Sequence, residues 1–219
     1  MSAGLRFPGG LYGITPEWDD TDRLIRAVEA AASGGMAALQ WRRKTADPAS
    51  RLPQARELAA RCKKLGVVFI VNDDWRMAAA VDADGVHLGR EDGPLSEARQ
   101  ALGFGKIIGR SCYNDLTLAR QALADGADYV ALGALHPSRI KPDAVRATLQ
   151  HVQQARLLAE QAVTPASPVR AAIIAIGGIT PENAAPIIQA GADSIALISA
   201  LFESRDIQAA AAQCQALFE

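Results

Sequence analysis

Four stretches of this chain repeat one pattern, and that pattern restricts the possible fold more than any other feature. In each stretch a helical segment ends at small residues, an acidic or small residue turns the chain, and an apolar strand follows. Glycine suits the end of a helix because it tolerates the left-handed conformation. The four stretches are SGGMAALQ (33–40), DADGVHLG (82–89), DGADYVALG (125–133) and AGADSIALI (190–198). Their strands are apolar on both faces, which is typical of parallel strands covered by helices.

The whole chain divides into eight units of this strand-then-helix kind. The strand-like runs are 11–15, 36–42, 67–71, 85–89, 106–111, 128–133, 171–178 and 194–199. The helical periodicity is clear for residues 19–33, 49–64, 116–124 and 181–190. Eight units predict an α/β fold with one (β/α)8 TIM-barrel domain over 1–219, in which 1–10 form an N-terminal extension. A doubly wound open sheet is the alternative, but the turn after the first strand, ITPEWDD, lacks its usual GxGxxG.

Charge and cysteine content exclude several functional classes. The net charge is −1 without a basic tail, whereas nonspecific nucleic-acid binding requires a broad basic surface. The three cysteines form no CxxC pair, which favours a reduced, cytoplasmic location. Because no segment approaches roughly 20 uninterrupted apolar residues, we expect neither a membrane span nor a membrane partner. The first residues also lack the apolar core of a signal peptide.

The predicted strands end in an unusually polar set of residues. In a TIM barrel the active site lies at the carboxyl ends of the strands. Taken singly, each group has an ordinary explanation, such as a solvated charge, a helix cap or a packed histidine. The strand beginnings carry no comparable set of mixed charges. Near the strand ends stand Gln40, Arg42, Lys44, Asn72, Asp73, His87, Asp92, Ser111, Ser138, Lys141, Gly178 and Ser199.

The segment QWRRK separates into two groups of side chains, because side chains two positions apart on a strand share a face. If Gln40 points toward the barrel axis, then Arg42 and Lys44 lie with it over the mouth. Trp41 and Arg43 would then face the helices or solvent. Arginine binds phosphate with a forked pair of donors and lysine adds a point charge, so the inner group suits a diphosphate.

The placement of residues at the strand ends also predicts two further binding sites, one for Mg²⁺ and one for a phosphate group. Asp73 and Asp92 provide hard carboxylate oxygens that, together with substrate phosphate, form the usual environment of Mg²⁺. Gly178 and Ser199 follow strands 7 and 8, where TIM barrels commonly hold a phosphate group at the start of a short helix. The segment SALFES (199–204) is expected to supply that helix.

These segments together resemble the thiamine-phosphate synthase family from about residue 11 to residue 202. The matching segments are QWRRK, VNDD, DGVHLGRED, GRS, DGADYVALGALHPSRIK and AIGGITPENAAPIIQAGADSIALIS. The resemblance implies a Mg²⁺-dependent transferase. Such an enzyme joins 4-amino-5-hydroxymethyl-2-methylpyrimidine diphosphate to thiazole phosphate, forming thiamine phosphate and releasing pyrophosphate. It also implies a dissociative mechanism, in which the pyrophosphate leaves before the thiazole nitrogen attacks.

The resemblance assigns a role to each candidate residue. Arg42, Ser111 and Lys141 are the expected catalytic residues, and Asp73 and Asp92 the expected metal ligands. The expected substrate-binding residues are Gln40, Arg42, Lys44, Asn72, Ser111, Ser138, Ile140, Lys141, Gly178, Ile198 and Ser199. The chain departs from the family pattern at Ile140, where a threonine is common, at Arg90, where glutamine is usual, and at Cys112 and Tyr113.

Three other classes remain open at the level of sequence. One is a thiazole-tautomerase-like or regulatory relative that binds thiazole phosphate without synthase turnover. The others are a sugar-phosphate isomerase or epimerase, which requires a placed general base, and a protein that binds a ligand without catalysis. The chain keeps Arg42, Asn72, Asp73, Asp92 and Lys141, and this set favours the synthase. The expected partners are small-molecule substrates, and homo-oligomerisation is left open.

Overall fold

Eight parallel strands close into a barrel in the order of the chain. The computed structural model describes residues 4–44, 48–137, 145–165 and 168–219. Closure is made by pairing of the first strand with the eighth, with Leu11 opposite Ile195. The strands are β1 Gly10–Ile14, β2 Ala38–Trp41, β3 Val68–Asn72, β4 Gly85–Leu88, β5 Ile107–Tyr113, β6 Tyr129–Leu132, β7 Ala172–Ile176 and β8 Ser194–Leu197. The predicted single-domain (β/α)8 fold is confirmed. Every end of the eight predicted strands lies within about two residues of the observed end.

Helices follow the strands and cover the outside of the barrel. They are α1 Thr21–Ser33, α2 Pro48–Leu65, α3 Trp75–Ala80, α4 Leu95–Leu102, α5 Leu116–Ala124, α6 Leu149–Gln161, α7 Ala185–Gln189, α8 Ser199–Phe202 and α9 Ile207–Gln215, with a short 3-10 helix at Ala216–Phe218. Within the described ranges, no helix combines the length and the apolar character needed to cross a membrane.

Helix α1 shows how the sequence specifies these elements. Asp20 precedes the helix, and its side chain accepts a hydrogen bond from the Arg23 backbone N–H at 2.8 Å. This cap satisfies one of the free N–H groups at the helix start. The buried residues Leu24, Ala27, Val28 and Ala31 recur at helical spacing. They therefore form one apolar face against the barrel.

Helix α7 begins later than the periodicity of residues 181–190 predicts. Residues 181–183 form a turn, in which the Asn183 side-chain oxygen accepts a hydrogen bond from the Thr180 N–H at 2.9 Å. Pro186 lies in the first turn of the observed helix and has no N–H. It therefore cannot donate the helical hydrogen bond to residue 182 that an earlier helix start would require. The start at Ala185 is a correction to the predicted helix boundary.

The repeated aspartates of the sequence pattern join neighbouring strands at the amino end of the barrel. Each precedes a strand and accepts a hydrogen bond from a backbone N–H of the strand before it. Asp84 accepts from Phe69 at 2.8 Å, Asp128 from Ile108 at 2.7 Å, and Asp193 from Ile173 at 2.8 Å, as three equivalent contacts. The internal repeat therefore has a physical basis in three of its four copies, because one aspartate in each of them fixes two adjacent strands.

The barrel interior is apolar at its amino end. Phe7 lies below the strands, fully buried, with ring centroids 4.9 Å from Tyr12 and 4.4 Å from Tyr129. Ile70, Ala172 and other small or branched residues complete this inner cluster. This end is filled, and a cavity lies at the opposite end of the barrel, at the carboxyl ends of the strands.

Candidate active site

A cavity of about 600 Å³ lies at the carboxyl ends of the strands. It gathers residues that are far apart in sequence, since they come from the ends of different strands. The expected site residues that line it are Gln40, Arg42, Lys44, Asn72, Asp73, Asp92, Ser111 and Ile198. The carboxyl ends of β2 to β5 and the loops after them supply most of the charge.

Strand β2 shows the alternation expected of QWRRK. Gln40 is 3% exposed and lines the cavity, while Trp41 faces the helices and donates its indole N–H to Gln54 at 3.0 Å. Arg42 returns to the cavity side. The Arg43 side chain is only 2% exposed and pairs with Asp19. Two adjacent arginines therefore lie in different environments, and only Arg42 lines the cavity.

Two of the cations that line the cavity, Arg42 and Lys44, are held by acidic neighbours. Arg42 pairs with Glu17 at 3.3 Å between Nη1 and Oε1, and the Lys44 ammonium lies 3.1 Å from Asp73 Oδ2. Glu17 also accepts the Lys44 backbone N–H at 3.0 Å. Because Lys44 is half-exposed, its ion pair is worth little by itself, and the ammonium remains available to an anionic ligand. Sequence reasoning missed Glu17, whose only signal was an acidic residue in the loop after β1.

Two carboxylates, Asp73 and Asp92, meet at the rim of the cavity. Asp73 adopts φ 65°, a left-handed conformation that is uncommon for a non-glycine residue, while its N–H donates to the His87 carbonyl at 2.7 Å. The Gly89 N–H donates to Asp92 at 2.6 Å, and a Cβ at Gly89 would lie only 2.9 Å from that same oxygen. A glycine is therefore needed for the Asp92 carboxylate to approach so closely.

The charge of Asp92 is unfavourable in this arrangement. Burial raises the pKa of the Asp92 carboxyl, and the neighbouring Asp73 carboxylate raises it further. The hydrogen bond from Gly89 and the charge of Lys44 lower the same pKa and partly compensate. A bound cation would relieve the repulsion between the two carboxylates.

The oxygens at this rim fit a hard divalent cation. Two carboxylates and the neighbouring Asn72 amide are the ligand types that Mg²⁺ accepts, with water and phosphate oxygens completing its coordination. In the portion of the chain that the structure describes, no group of three or more His, Cys, Asp and Glu side chains is arranged to hold a metal. A cation at Asp73 and Asp92 would therefore depend on oxygens from a bound ligand.

A buried chain of hydrogen bonds lies beneath the charged rim. Gln40 donates from Nε2 to the Tyr12 hydroxyl at 2.8 Å, and the Tyr12 and Tyr129 hydroxyls are 3.1 Å apart. The Tyr129 hydroxyl is 3.0 Å from His87 Nδ1, and His87 Nε2 is 2.8 Å from Ser111 Oγ. The chain connects β2, β1, β6, β4 and β5, and each of its members except Tyr129 lines the cavity.

The imidazole of His87 is neutral near pH 7. Burial lowers its pKa from 6.5 to about 4, and the nearby cations Arg110 and Lys44 also lower it, although Asp73 opposes them. His87 is thus the packed, hydrogen-bonded histidine that the sequence also allowed. A neutral imidazole has one N–H and one acceptor nitrogen, so it bonds its two neighbours in different ways.

Sequence reasoning missed the two tyrosines of this chain of hydrogen bonds. Burial raises the pKa of both Tyr12 and Tyr129 well above 10, so both keep their hydroxyl protons. Each tyrosine contributes a single polar atom, its hydroxyl oxygen, to an otherwise apolar strand. The sequence contains no signal that the two hydroxyls meet across the barrel.

The side formed by β7 and β8 is less polar. Gly177 and Ile198 line the cavity, and Gly178 and Ser199 are their next neighbours in the chain without lining it themselves. Gly178 has φ 62°, and a Cβ there would lie 2.3 Å from the Pro137 carbonyl. Helix α8 begins at Ser199, which confirms the predicted short helix. Ser138, Ile140 and Lys141 lie outside the described residues.

Two of the departures from the family pattern border the cavity. Arg90 and Tyr113 both line it, and the Arg90 guanidinium lies 5.0 Å from the centre of the Tyr113 ring. Cys112 points away from it and is fully buried in the outer core. These substitutions therefore change one wall of the cavity and keep the carboxylates and cations.

A closed parallel barrel with this charged cavity at its carboxyl end defines a (β/α)8 enzyme whose site is suited to an anionic ligand. Comparison with known proteins shows which family within this class of enzymes the chain belongs to. Residues 11–201 match the family model described as thiamine monophosphate synthase. The chain belongs to the thiamine-phosphate synthase family, whose members are transferases of thiamine biosynthesis.

Individual relatives agree with this assignment over nearly their whole length. The thiamine-phosphate synthase of Bordetella pertussis is 58% identical over 98% of this chain and 97% of its own. That of Thiobacillus denitrificans is 53% identical over 97% and 96%. Among solved structures, thiamine phosphate pyrophosphorylase from Pyrococcus furiosus matches with a TM-score of 0.80 and 32% identity over 95% of each chain.

Proposed function

We propose that this enzyme condenses 4-amino-5-hydroxymethyl-2-methylpyrimidine diphosphate with thiazole phosphate. In the first step the bond between the methylene carbon and the diphosphate oxygen breaks, and both electrons leave with the pyrophosphate. The pyrimidine ring stabilises the methylene cation that remains. The thiazole nitrogen then donates its lone pair to this carbon, giving thiamine phosphate. The observation that carries the proposal is the placement of Arg42, Lys44 and Asp73 on one cavity in a member of this family.

The cations of β2 suit the charge that develops on the leaving diphosphate. Arg42 can offer two parallel N–H donors, and the half-exposed Lys44 ammonium can exchange Asp73 for a phosphate oxygen without large desolvation. Groups already oriented toward a developing charge lower the barrier more than groups that must reorient. Glu17 supports this preorganisation, because it holds the Arg42 guanidinium and the Lys44 backbone.

Mg²⁺ is the proposed cofactor, and Asp73 and Asp92 are its proposed protein ligands. When bound, it would neutralise charge on the diphosphate. The proximity of two carboxylates and the raised pKa of Asp92 favour a cation between them.

The proposed reaction needs neither a general base nor a nucleophilic side chain, and the site agrees with this. The lowered pKa of His87 and the raised pKa values of the tyrosines make these groups poor participants in proton transfer near pH 7. Gly178, Ile198 and Ser199 are the proposed contacts for the thiazole phosphate, on the side of the cavity away from the cations. Ser138, Ile140 and Lys141 are proposed as further substrate contacts, and Lys141 also as a catalytic residue, because the family resemblance assigns these roles to them.

We also place the enzyme in the cytoplasm. Its cysteines, Cys62, Cys112 and Cys214, are all buried free thiols. A reducing compartment suits such unpaired thiols.

The decisive test mixes purified protein, both substrates and Mg²⁺, and measures thiamine phosphate and pyrophosphate. Equal amounts of both products are expected. Arg42→Ala should lower kcat by about 10² or more, as removal of a preorganised charge does in other enzymes. Lys64→Ala is the matched control, because this exposed lysine ends α2 at the opposite side of the barrel. A folded wild-type protein without turnover, or equal kcat for the Arg42 variant and the wild type, would contradict the proposal.

A second experiment tests the metal ligands. Asp73→Ala should abolish Mg²⁺-dependent turnover and leave the circular dichroism spectrum unchanged. Asp74→Asn is the control at the adjacent position, because Asp74 caps α3 through a bond from the Met77 N–H at 2.9 Å, which asparagine preserves. Wild-type turnover that a chelator does not affect would refute the metal assignment.

A further inference from the structure

The buried chain of hydrogen bonds, here named the relay, has a direction. Its members are Gln40, Tyr12, Tyr129, His87 and Ser111, in that order. We infer that the relay holds the Ser111 hydroxyl as a hydrogen-bond donor toward the diphosphate of the substrate. This inference rests on the proposed function for the identity of the ligand, whereas the direction of the relay rests on the contacts alone.

The direction begins at Gln40, which can only donate through its amide nitrogen. Its Nε2 donates to the Tyr12 oxygen, so the Tyr12 hydrogen must find a different acceptor. Within the described part of the chain, the Tyr129 oxygen at 3.1 Å is the partner that the structure provides. Tyr12 is 1% exposed, and a hydroxyl hydrogen buried without an acceptor is costly.

The next links follow from the number of hydrogens available. Because Tyr129 accepts from Tyr12, its own hydrogen goes to His87 Nδ1 at 3.0 Å. A neutral imidazole that accepts at Nδ1 carries its hydrogen on Nε2. His87 therefore donates to Ser111 Oγ at 2.8 Å. The Ser111 hydrogen is not used within the relay and is free to point into the cavity.

The opposite direction gives an unsuitable site. Ser111 would donate to His87 and turn an oxygen lone pair toward the cavity, and the Tyr12 hydrogen would be left without an acceptor. A lone pair repels a phosphate oxygen, whereas a hydroxyl hydrogen attracts it, and the attraction grows as the leaving group gains charge. Tyr12, Tyr129 and His87 are thus positioning residues, which act on the diphosphate through Ser111.

The first measurement is the tautomer of His87 in the substrate-free wild-type protein. Long-range proton–nitrogen NMR correlations distinguish the two ring nitrogens, and the signal of His87 among the three histidines is assigned from its absence in His87→Gln. We expect a hydrogen on Nε2 and an unprotonated Nδ1. A hydrogen on Nδ1 would overturn the inferred direction, whatever the enzyme catalyses.

The second measurement compares two variants that each remove one buried hydroxyl. Tyr129→Phe breaks the relay next to His87, so we expect a mixture of tautomers. Tyr12→Phe removes one donor to Tyr129, but the Gln40 amide also hydrogen-bonds the Tyr129 hydroxyl and can donate to it directly. Tyr129 therefore still gives its hydrogen to His87, and the Nε2–H form should persist. A purely structural role would affect both variants alike, because both rings are fully buried in the same cluster.

The kinetic consequence separates the variants in the same way. Tyr129→Phe should lower kcat about 10-fold, which is the equivalent of one hydrogen bond. KM for the diphosphate substrate should change by less than about 3-fold. Tyr12→Phe should lower kcat clearly less. Equal falls in the two variants, or wild-type kcat in Tyr129→Phe, would refute the inference.

Failure of the proposed reaction would be distinguishable from failure of the relay. If the folded wild type does not turn over, binding of inorganic pyrophosphate by calorimetry replaces the kinetic comparison. Weaker binding by Tyr129→Phe than by Tyr12→Phe supports the relay, and equal binding by the two variants overturns it.

Discussion

The carboxylate of Asp128 offers the sharpest test of how the barrel is held together at its amino end. Its side chain is 6% exposed and pairs with Arg6 at 2.6 Å and Arg99 at 2.7 Å. The same carboxylate accepts the Ile108 backbone N–H at 2.7 Å. One acidic group thus connects the N-terminal segment, α4, β5 and the start of β6.

The cost of Asp128→Asn can be worked from these contacts. The amide oxygen can keep the two donors that share Oδ2, namely Ile108 and Arg99, but the amide NH₂ then faces the Arg6 guanidinium. One charge-assisted bond is lost, and the others are weakened because the acceptor is neutral. Charged hydrogen bonds contribute about 1.5–3 kcal/mol and neutral ones about 1 kcal/mol, so we expect a loss of about 3 kcal/mol in the free energy of unfolding.

The matched control is Asp82→Asn, which removes the same charge from an exposed pair. Asp82 lies 2.6 Å from Lys106, but its side chain is 78% exposed. Asparagine also tolerates its φ of 50°. We expect a loss below about 1 kcal/mol. Urea unfolding followed by circular dichroism measures both values, with an unchanged m value indicating the same unfolding reaction. Equal losses in the two variants would refute the argument that burial makes the Asp128 contacts strong.

Two further predictions concern the barrel interior. Phe7→Ala should reduce the free energy of unfolding, measured by urea unfolding, by about 3–5 kcal/mol. Phe104→Ala is the control, because this ring is 84% exposed, and it should change the same free energy by less than about 0.5 kcal/mol. Similar losses in the two variants would contradict a packed amino end of the barrel. The stabilisation from neutral, buried His87 is complete above pH 6.5 and is lost as the pH falls toward 4, because the unfolded chain binds the proton first. Between pH 7 and pH 5 the wild type should therefore lose about 2 kcal/mol more stability than His87→Gln, and parallel pH profiles would show that His87 is not buried as a neutral group.

The sequence was sufficient for the fold because its signals are local and repeated. The strands are mostly apolar on both faces, and each repeat carries its own turn residues, so eight similar units leave few alternatives to a closed barrel. The division of QWRRK also depends only on the two-residue period of a strand. The start of α7 was harder, because the Asn183 turn competes with a helix that the pattern alone favours.

The candidate site was only partly accessible to the same reasoning. Gln40, Arg42, Asp73 and Asp92 were identified because they end successive strands, and strand ends converge in this fold. Their separate roles as substrate or metal contacts stay predictions. Glu17 was not identified, because a single acidic residue in a loop has many ordinary explanations.

What the sequence alone determined is the barrel, the end of the barrel that carries charge, and the division of the QWRRK side chains between two faces of one strand. These properties follow from periodicity, which acts over a few residues. Only the tertiary structure decided that Tyr12 meets Tyr129, 117 residues later in the chain, and that Tyr129 meets His87, which lies 42 residues before it. Hydrogen bonds between such distant residues depend on the register of the closed sheet, and no local pattern records that register.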